Sequence, residues 1–300
     1  MLKNTFNCLC LIALLNFAVA FTASNAKDKA IAPKDLCLPD STQIQILYLK
    51  DGSTFNGRII EIREREILFD SGYGLLTIPL NEIDKISLVL SKAMVGGKYW
   101  FPNPNQTRLF FAPTGRMLKR GEGYFSDYYL FFPGIAVGLT DNITLGGGMS
   151  IFPGLSLDEQ LFFFTPKIGL KAVENINFAT GALIISIPTD DDEDISPIGI
   201  LYGVGTFGSP ITSLTFGLGY GFAGDELADS PIVMLGGEAR LFRRVSLVSE
   251  NWFIPGLDRP LISYGFRFMG EALSVDLALA GVFDDNEFFF LPYLDFVYNF

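Results

Sequence analysis

From residue 107 to its end the chain alternates apolar with polar or small residues in segments of about ten, and that period of two constrains the fold more than any other feature. In 211–222, Leu214, Phe216, Leu218, Tyr220 and Phe222 alternate with Ser213, Thr215, Gly217, Gly219 and Gly221. In 261–269, Ile262, Tyr264, Phe266 and Phe268 oppose Ser263, Gly265 and Arg267. In 273–283, Leu273, Val275, Leu277, Leu279 and Phe283 oppose Ser274, Asp276, Ala278 and Ala280. A helix cannot gather such sets on one face; a strand must. Twelve segments follow from the pattern: 107–113, 124–138, 143–152, 161–171, 176–187, 198–207, 211–222, 231–241, 245–254, 261–269, 273–283 and 288–300. Segment 176–187 is ambiguous, since both of its faces are mostly apolar. Short polar breaks, such as Thr140-Asp141-Asn142 and Val173-Glu174-Asn175, take turns with longer ones at 114–123, 153–159, 188–197, 223–230, 255–260 and 284–287. Short turns at one end and long loops at the other describe an all-β chain whose main part is a transmembrane antiparallel β-barrel of about twelve strands. An even count returns both ends of the barrel to the short-turn side.

Composition narrows the chemistry. Hydrophobic residues are 49% and charged residues 18%, with 29 Phe, which excludes a disordered chain. The sequence holds no His, so Ser-His-Asp hydrolysis, His-ligated zinc and imidazole acid/base work are excluded. A net charge of -11 argues against nucleic acid, whose phosphates attract a basic face. A soluble secreted β-sandwich or jelly roll also alternates and stays open as an alternative. Consecutive outward faces rich in Phe and Leu, a secretion leader and a terminal Phe count against it.

The leader is residues 1–26: Lys3, an apolar stretch from Leu9 to Phe21, and small-residue ends at Ala18-Val19-Ala20 or Ser24-Asn25-Ala26. Its apolar core is too short to span a bilayer comfortably. Cys8 and Cys10 fall within it, which leaves Cys37 and no intramolecular disulfide.

A small domain follows at 41–90, and a connector at 91–105 joins it to the barrel at 106–300. Apolar and polar residues alternate over five short segments, near 44–49, 54–62, 66–70, 74–79 and 83–89, around Asp51-Gly52, Asn56-Gly57 and Gly72-Tyr73-Gly74. With Ile78-Pro79 before the last segment, this run resembles the small SH3-like or Sm-like β-barrels. The resemblance implies a bend at Gly57 and a strand edge at Pro79. Some Sm-like proteins bind RNA; near-balanced charge behind a secretion signal favours a spacer or a module that recruits a periplasmic protein partner through residues 44–90.

At the C-terminus Leu294, Phe296, Tyr298 and Phe300 alternate with Tyr293, Asp295, Val297 and Asn299. This resembles the terminal insertion signal of Gram-negative outer-membrane barrels, and implies reading by the barrel-assembly machinery. At the level of the whole chain the resemblance is to outer-membrane barrels of unassigned role from Bacteroidetes-like bacteria, with a small N-terminal domain in the periplasm.

In that register Arg108, Lys167, Lys171, Glu238, Arg240, Glu250, Arg267, Asp276 and Asp295 point inward, because a charge on the lipid face costs about 2–4 kcal/mol for Arg or Lys. Two readings follow. Lys167 and Lys171 facing Glu238 and Glu250 set a transverse field across a wet path, or the interior is filled by ion pairs such as Arg267 with Asp276. Inward glycines at 146, 148, 199, 203, 205, 217, 219 and 221 open space, or seat bulky side chains. Trp100 and Trp252 fit interfacial girdles or ordinary packing. Within the acidic run at 190–194, Asp190, Asp191 and Asp192 are calcium candidates, with a solvated loop as the alternative. No cofactor, metal site or catalytic set is implied. The expected function is a passive channel or uptake component for small solutes, not an enzyme, with outer-membrane lipid as its surroundings. The alternative is a non-conducting structural, adhesion or partner-recruiting protein.

Overall fold

The computed structural model describes residues 36–188, 197–283 and 288–300; the leader and the acidic run at 190–194 lie outside them. The chain forms two compact units, divided between Trp100 and Phe101.

In the first unit, strands β1 (Gln43–Leu49), β2 (Thr54–Ile62), β3 (Glu66–Asp70), β4 (Leu75–Pro79) and β5 (Ile83–Leu90) form an antiparallel sheet in the order β4-β3-β2-β1-β5. Asp51-Gly52 makes the first turn: Gly52 takes φ 87°, and the Asp51 carboxylate accepts the Ser53 amide at 2.8 Å. Leu47, Ile59, Ile67, Phe69, Ile78, Leu80 and Ile83 form the core. The register of β2 shifts between Ile59 and Glu61, and there the buried Gln45 side chain accepts the Ile59 amide at 2.8 Å and donates to the Cys37 carbonyl at 2.8 Å. β2 therefore bends at this bulge, three residues beyond Gly57. Pro79 ends β4, an edge strand, where the resemblance implied one. A two-residue ribbon, β6 (Met94–Val95) with β7 (Lys98–Tyr99), follows.

The second unit is a closed antiparallel barrel of twelve strands. Around the ring these are β8 (Gly123–Tyr128), β9 (Phe132–Thr140), β10 (Ile143–Met149), β11 (Phe162–Val173), β12 (Ile176–Ser186), β13 (Ile198–Gly208) and β14 (Thr212–Ala223). After the short β15 (Glu226–Leu227), which pairs only with the end of β14, come β16 (Ile232–Phe242), β17 (Val245–Phe253), β18 (Leu261–Met269), β19 (Leu273–Phe283) and β20 (Phe288–Asn299). β20 pairs with β8 and closes the ring.

Twelve strands were expected, but two of the assignments behind that number were wrong and cancel. Residues 107–113 are not in the wall. The expected strand 124–138 is two strands, reversed at Tyr129 and Leu130, which adopt φ 56° and 66°. Three bulky residues, Tyr129 to Phe131, make this turn without glycine, proline or asparagine, so no sequence signal marks it.

Facing follows the alternation on most strands. Leu214, Phe216, Tyr264, Phe266, Leu277 and Leu279 are exposed outward, while Thr215, Ser263, Arg267, Ser274 and Asp276 are buried inward. An exterior so continuously apolar suits hydrocarbon, not water. On β13 the expected facing is inverted. Leu201 and Phe207 are exposed, so Gly199, Gly203 and Gly205 share the outer face, while Val204 and Thr206 are buried inside. At the closing seam Phe300 and Gly123 exchange main-chain hydrogen bonds at 2.9 and 3.1 Å. A Cβ on Gly123 would stand 2.7 Å from the Phe300 ring. β8 covers β20 only from Asp295 to Asn299, with one more bond from the Tyr129 amide to the Leu294 carbonyl at 3.0 Å. Pro292 lies beyond, on the β8-facing alternation of β20, and removes a donor where that edge has lost its partner strand.

Candidate functional site

Residues 101–122 lie within the barrel and form a plug, which includes the end of the stretch expected to be a connector. The segment enters at the short-turn end, where Arg240 donates to the Phe101 carbonyl at 2.6 Å and stacks over its ring at 4.8 Å. It folds into a hairpin: Leu109 donates to Ala112 at 2.8 Å and Thr114 to Thr107 at 2.9 Å, with Arg108 bridged to Pro113. It then returns to the same end, where Gly121 donates to Gly138 at 2.9 Å and Arg120 to the Asp141 carboxylate at 2.9 Å. Gly115 is needed on the return path, since a Cβ there would collide with the main chain at Asn177.

An irregular segment buried in a barrel carries main-chain groups that no ladder satisfies, and wall side chains must take them up. Glu250 accepts the amides of Phe110, Phe111 and Ala112 on one oxygen, at 2.8, 3.0 and 2.9 Å, and the Trp252 indole on the other at 2.7 Å. Arg267 donates to the carbonyls of Asn105 and Leu109 at 2.7 and 2.6 Å. Tyr293 donates to Phe110 at 3.0 Å, and Lys167 to Arg116 and Thr107 at 2.6 and 3.2 Å. Asn103 donates to both Glu238 oxygens at 2.8 Å.

The inward charges thus meet the plug and one another. Arg267 spans Asp276 at 2.7 and 2.8 Å and reaches Glu238 at 3.0 Å, which is the pairing the filled-barrel reading expects. Asp276 and Asp295 are direct cross-strand neighbours, and each has its own guanidinium, Arg267 from the wall and Arg108 from the plug, the latter at 2.5 Å. Arg108 also bonds the Tyr128 hydroxyl and lies over that ring at 4.6 Å. Arg108 is therefore inside the barrel as expected, but on the plug and not on a strand. Lys171 is exposed near the short-turn end of β11. Glu238 and Glu250 do not face an open path towards Lys167: the first is engaged by Asn103 and Arg267 and the second by the plug amides. Trp252 points inward, which removes it from an interfacial girdle. The candidates Asp190, Asp191 and Asp192 lie outside the described residues.

Above the hairpin tip is a cavity of about 640 Å³. Phe132, Phe163, Ile185, Ile200, Ile232 and Trp252 line it, all from the long-loop ends of their strands, with Arg108, Phe111 and Pro113 at its floor. Phe111, half exposed, stacks on Tyr128 at 5.2 Å and meets Tyr293 edge-on at 4.8 Å, so the tip presents an aromatic surface to the empty space. The side-chain contacts of the plug gave no sequence signal beyond the inward charges.

No family model matches the chain, and no curated protein matches it. Similar solved structures include a KdgM porin in complex with disordered oligogalacturonate, 6% identical, covering 59% of this chain and 95% of that one with a TM-score of 0.40. Another is a loop L8 deletion mutant of OmpT, an outer-membrane protein of Vibrio cholerae: 8% identity, 86% and 97% coverage, TM-score 0.34. A third is the Ralstonia pickettii toluene transporter TbuX: 8% identity, 91% and 92% coverage, TM-score 0.33. Identity this low and superposition this loose leave the function to the chain's own geometry.

Proposed function

We propose that the protein is an outer-membrane barrel of a Gram-negative bacterium that takes up small, predominantly apolar solutes, holding them in its lumen on the outer side of a plug. The observation that carries this reading is the 640 Å³ cavity, lined mainly by Phe, Ile and Trp between the plug tip and the long-loop end. Its volume is in the range of small-molecule sites, about 300–1,000 Å³. An ion-conducting pore needs a continuous wet path, and here the hairpin and its hydrogen bonds occupy the path instead. The apolar outer face, the expected leader and the alternating terminal residues support the location. Both barrel ends at the short-turn side support a periplasmic position for the small sheet, where it serves as an SH3-like or Sm-like recruiting module.

The test combines two measurements on detergent-purified, heat-modifiable full chain: single-channel conductance in a planar bilayer, and binding of the neutral fluorescent probe N-phenyl-1-naphthylamine. The expected result is a silent bilayer with saturable probe binding that the Trp252→Phe variant no longer reports by energy transfer. Stable conductance steps in the unmodified protein overturn the plugged reading. Silence without probe binding leaves the structural or partner-recruiting alternative.

A further inference from the structure

We infer that the cavity receives an apolar molecule bearing one anionic group, and that Lys167 and Thr144 hold that group at the cavity floor. The inference rests on the uptake reading above and names its solute class.

Charge balance is the first observation. Five buried cations in the second unit, Arg108, Arg116, Lys167, Arg240 and Arg267, stand against four buried carboxylates, Glu238, Glu250, Asp276 and Asp295. Arg108 has Asp295, and Arg267 has Asp276 and Glu238. Lys167 has no carboxylate partner among the described residues: two of its three ammonium donors go to the main-chain carbonyls of Arg116 and Thr107. A buried ammonium without a counter-ion is expensive, so an anion that reaches it is bound more tightly than a neutral molecule of the same shape.

The lining gives the second. Among the described residues, Arg108 and Lys167 are the charged side chains around the cavity, and no acidic one lines it. Thr144 is the third. It is the direct cross-strand neighbour of Lys167, is more than nine-tenths buried, lines the same cavity, and its hydroxyl has no hydrogen-bond partner among the described residues. An ammonium with a donor to spare, next to a threonine whose covered hydroxyl reaches the cavity by a turn about χ1, makes a two-point receptor for a carboxylate or sulfonate. The remaining wall is apolar and accommodates a hydrocarbon or aromatic body.

Two probes of nearly equal shape test this: 8-anilinonaphthalene-1-sulfonate, which is anionic, and N-phenyl-1-naphthylamine, which lacks the sulfonate. Binding to the full chain in nanodiscs is read by energy transfer from Trp252, with empty nanodiscs as blank. The expected result is that the anionic probe binds at least tenfold more tightly. Lys167→Met should abolish the affinity ratio between the two probes while the neutral probe still binds, Lys167→Arg should restore part of the ratio, and Thr144→Val should weaken the anionic probe several-fold. Retained binding of the neutral probe reports that each variant is folded. Equal binding of the two probes to the unmodified protein overturns the inference while the uptake reading stands, as does a Lys167→Met variant that weakens both alike. Binding of neither probe overturns both.

Discussion

Replacing Glu250 by Gln keeps the shape of the side chain and removes only the charge and one acceptor, so its effect can be worked from the geometry. Four donors converge on the carboxylate: three consecutive plug amides on one oxygen and the Trp252 indole on the other. A primary amide offers one acceptor oxygen. If that oxygen faces the amides, the indole N–H meets an NH₂ group; if it faces the indole, three amides are orphaned. The smaller loss is one unsatisfied buried donor, about 1–3 kcal/mol, together with the charge assistance of three bonds, each about 0.5–1 kcal/mol weaker when neutral. The sum is about 2.5–6 kcal/mol against the closed plug, or a shift of roughly 10²–10⁴ in its equilibrium. Most of the cost falls on the hairpin tip, because the wall keeps its own strand ladder. The assay is planar-bilayer recording of folded protein. Glu250→Gln should show intermittent openings where the unmodified chain is silent, whereas Tyr293→Phe, which removes a single neutral bond to the Phe110 carbonyl, is worth only about 1 kcal/mol and should stay mostly closed. A Glu250→Gln variant as silent as its parent would refute the claim that this carboxylate holds the tip.

Arg108→Gln removes the plug's counter-ion from Asp295 and leaves two opposed carboxylates, Asp276 and Asp295, with Arg267 between them; the expected destabilisation is about 3–5 kcal/mol, read as a lower urea midpoint for the heat-modifiable form. Arg267→Ala should cost at least as much by the same readout, since it strands Asp276, Glu238 and two plug carbonyls together. Gly123→Ala forces the Phe300 ring off the closing seam and should cost about 1–3 kcal/mol, whereas Gly203→Ala, whose Cβ meets nothing within 4 Å, should change nothing measurable. In the β10–β11 loop the Ser156 amide and hydroxyl hold the Glu159 carboxyl below its ordinary value. A lowered folded value contributes stability at neutral pH that is lost as the pH falls through it, so protection factors at residues 156–160, taken relative to the intrinsic exchange rate at each pH, should fall on acidification and stay independent of pH in Glu159→Gln.

The wall was legible because lipid outside and packing inside impose opposite demands on neighbouring residues of every strand. That is why β18 and β19 present the faces their alternation predicts, and why the five strands of the small sheet begin and end within a residue of their expected limits. Legibility failed where the demand was weaker. β13 carries glycine at 199, 203 and 205, residues that satisfy either face, and its facing could not be read. The β8–β9 turn uses Tyr129 and Leu130 in a left-handed conformation that their side chains disfavour, so the turn is imposed by its surroundings. Residues 107–113 looked like a strand because they form one arm and the tip of a two-stranded hairpin, only inside the barrel.

The inward charges held more information than their sign. Arg267 is directly opposite Asp276, so its partner can be read from register alone. Glu250 is flanked by Gly236 and Ser263, and Lys167 by Thr144 and Gly181. Neither has an opposite charge directly across from it on an adjacent strand, and a dry lumen does not tolerate a lone charge. Each must therefore face something that is not the wall. For Glu250 that something is three amides of the hairpin tip, which satisfy a carboxylate fully. For Lys167 it is two carbonyls, which satisfy an ammonium's donors but not its charge. The asymmetry matters, because main-chain amides and carbonyls serve a plug equally well, yet among the described residues Lys167 is a basic group that borders the cavity without a carboxylate partner. A barrel that needed only to be sealed has no use for that charge; one that binds an apolar anion does.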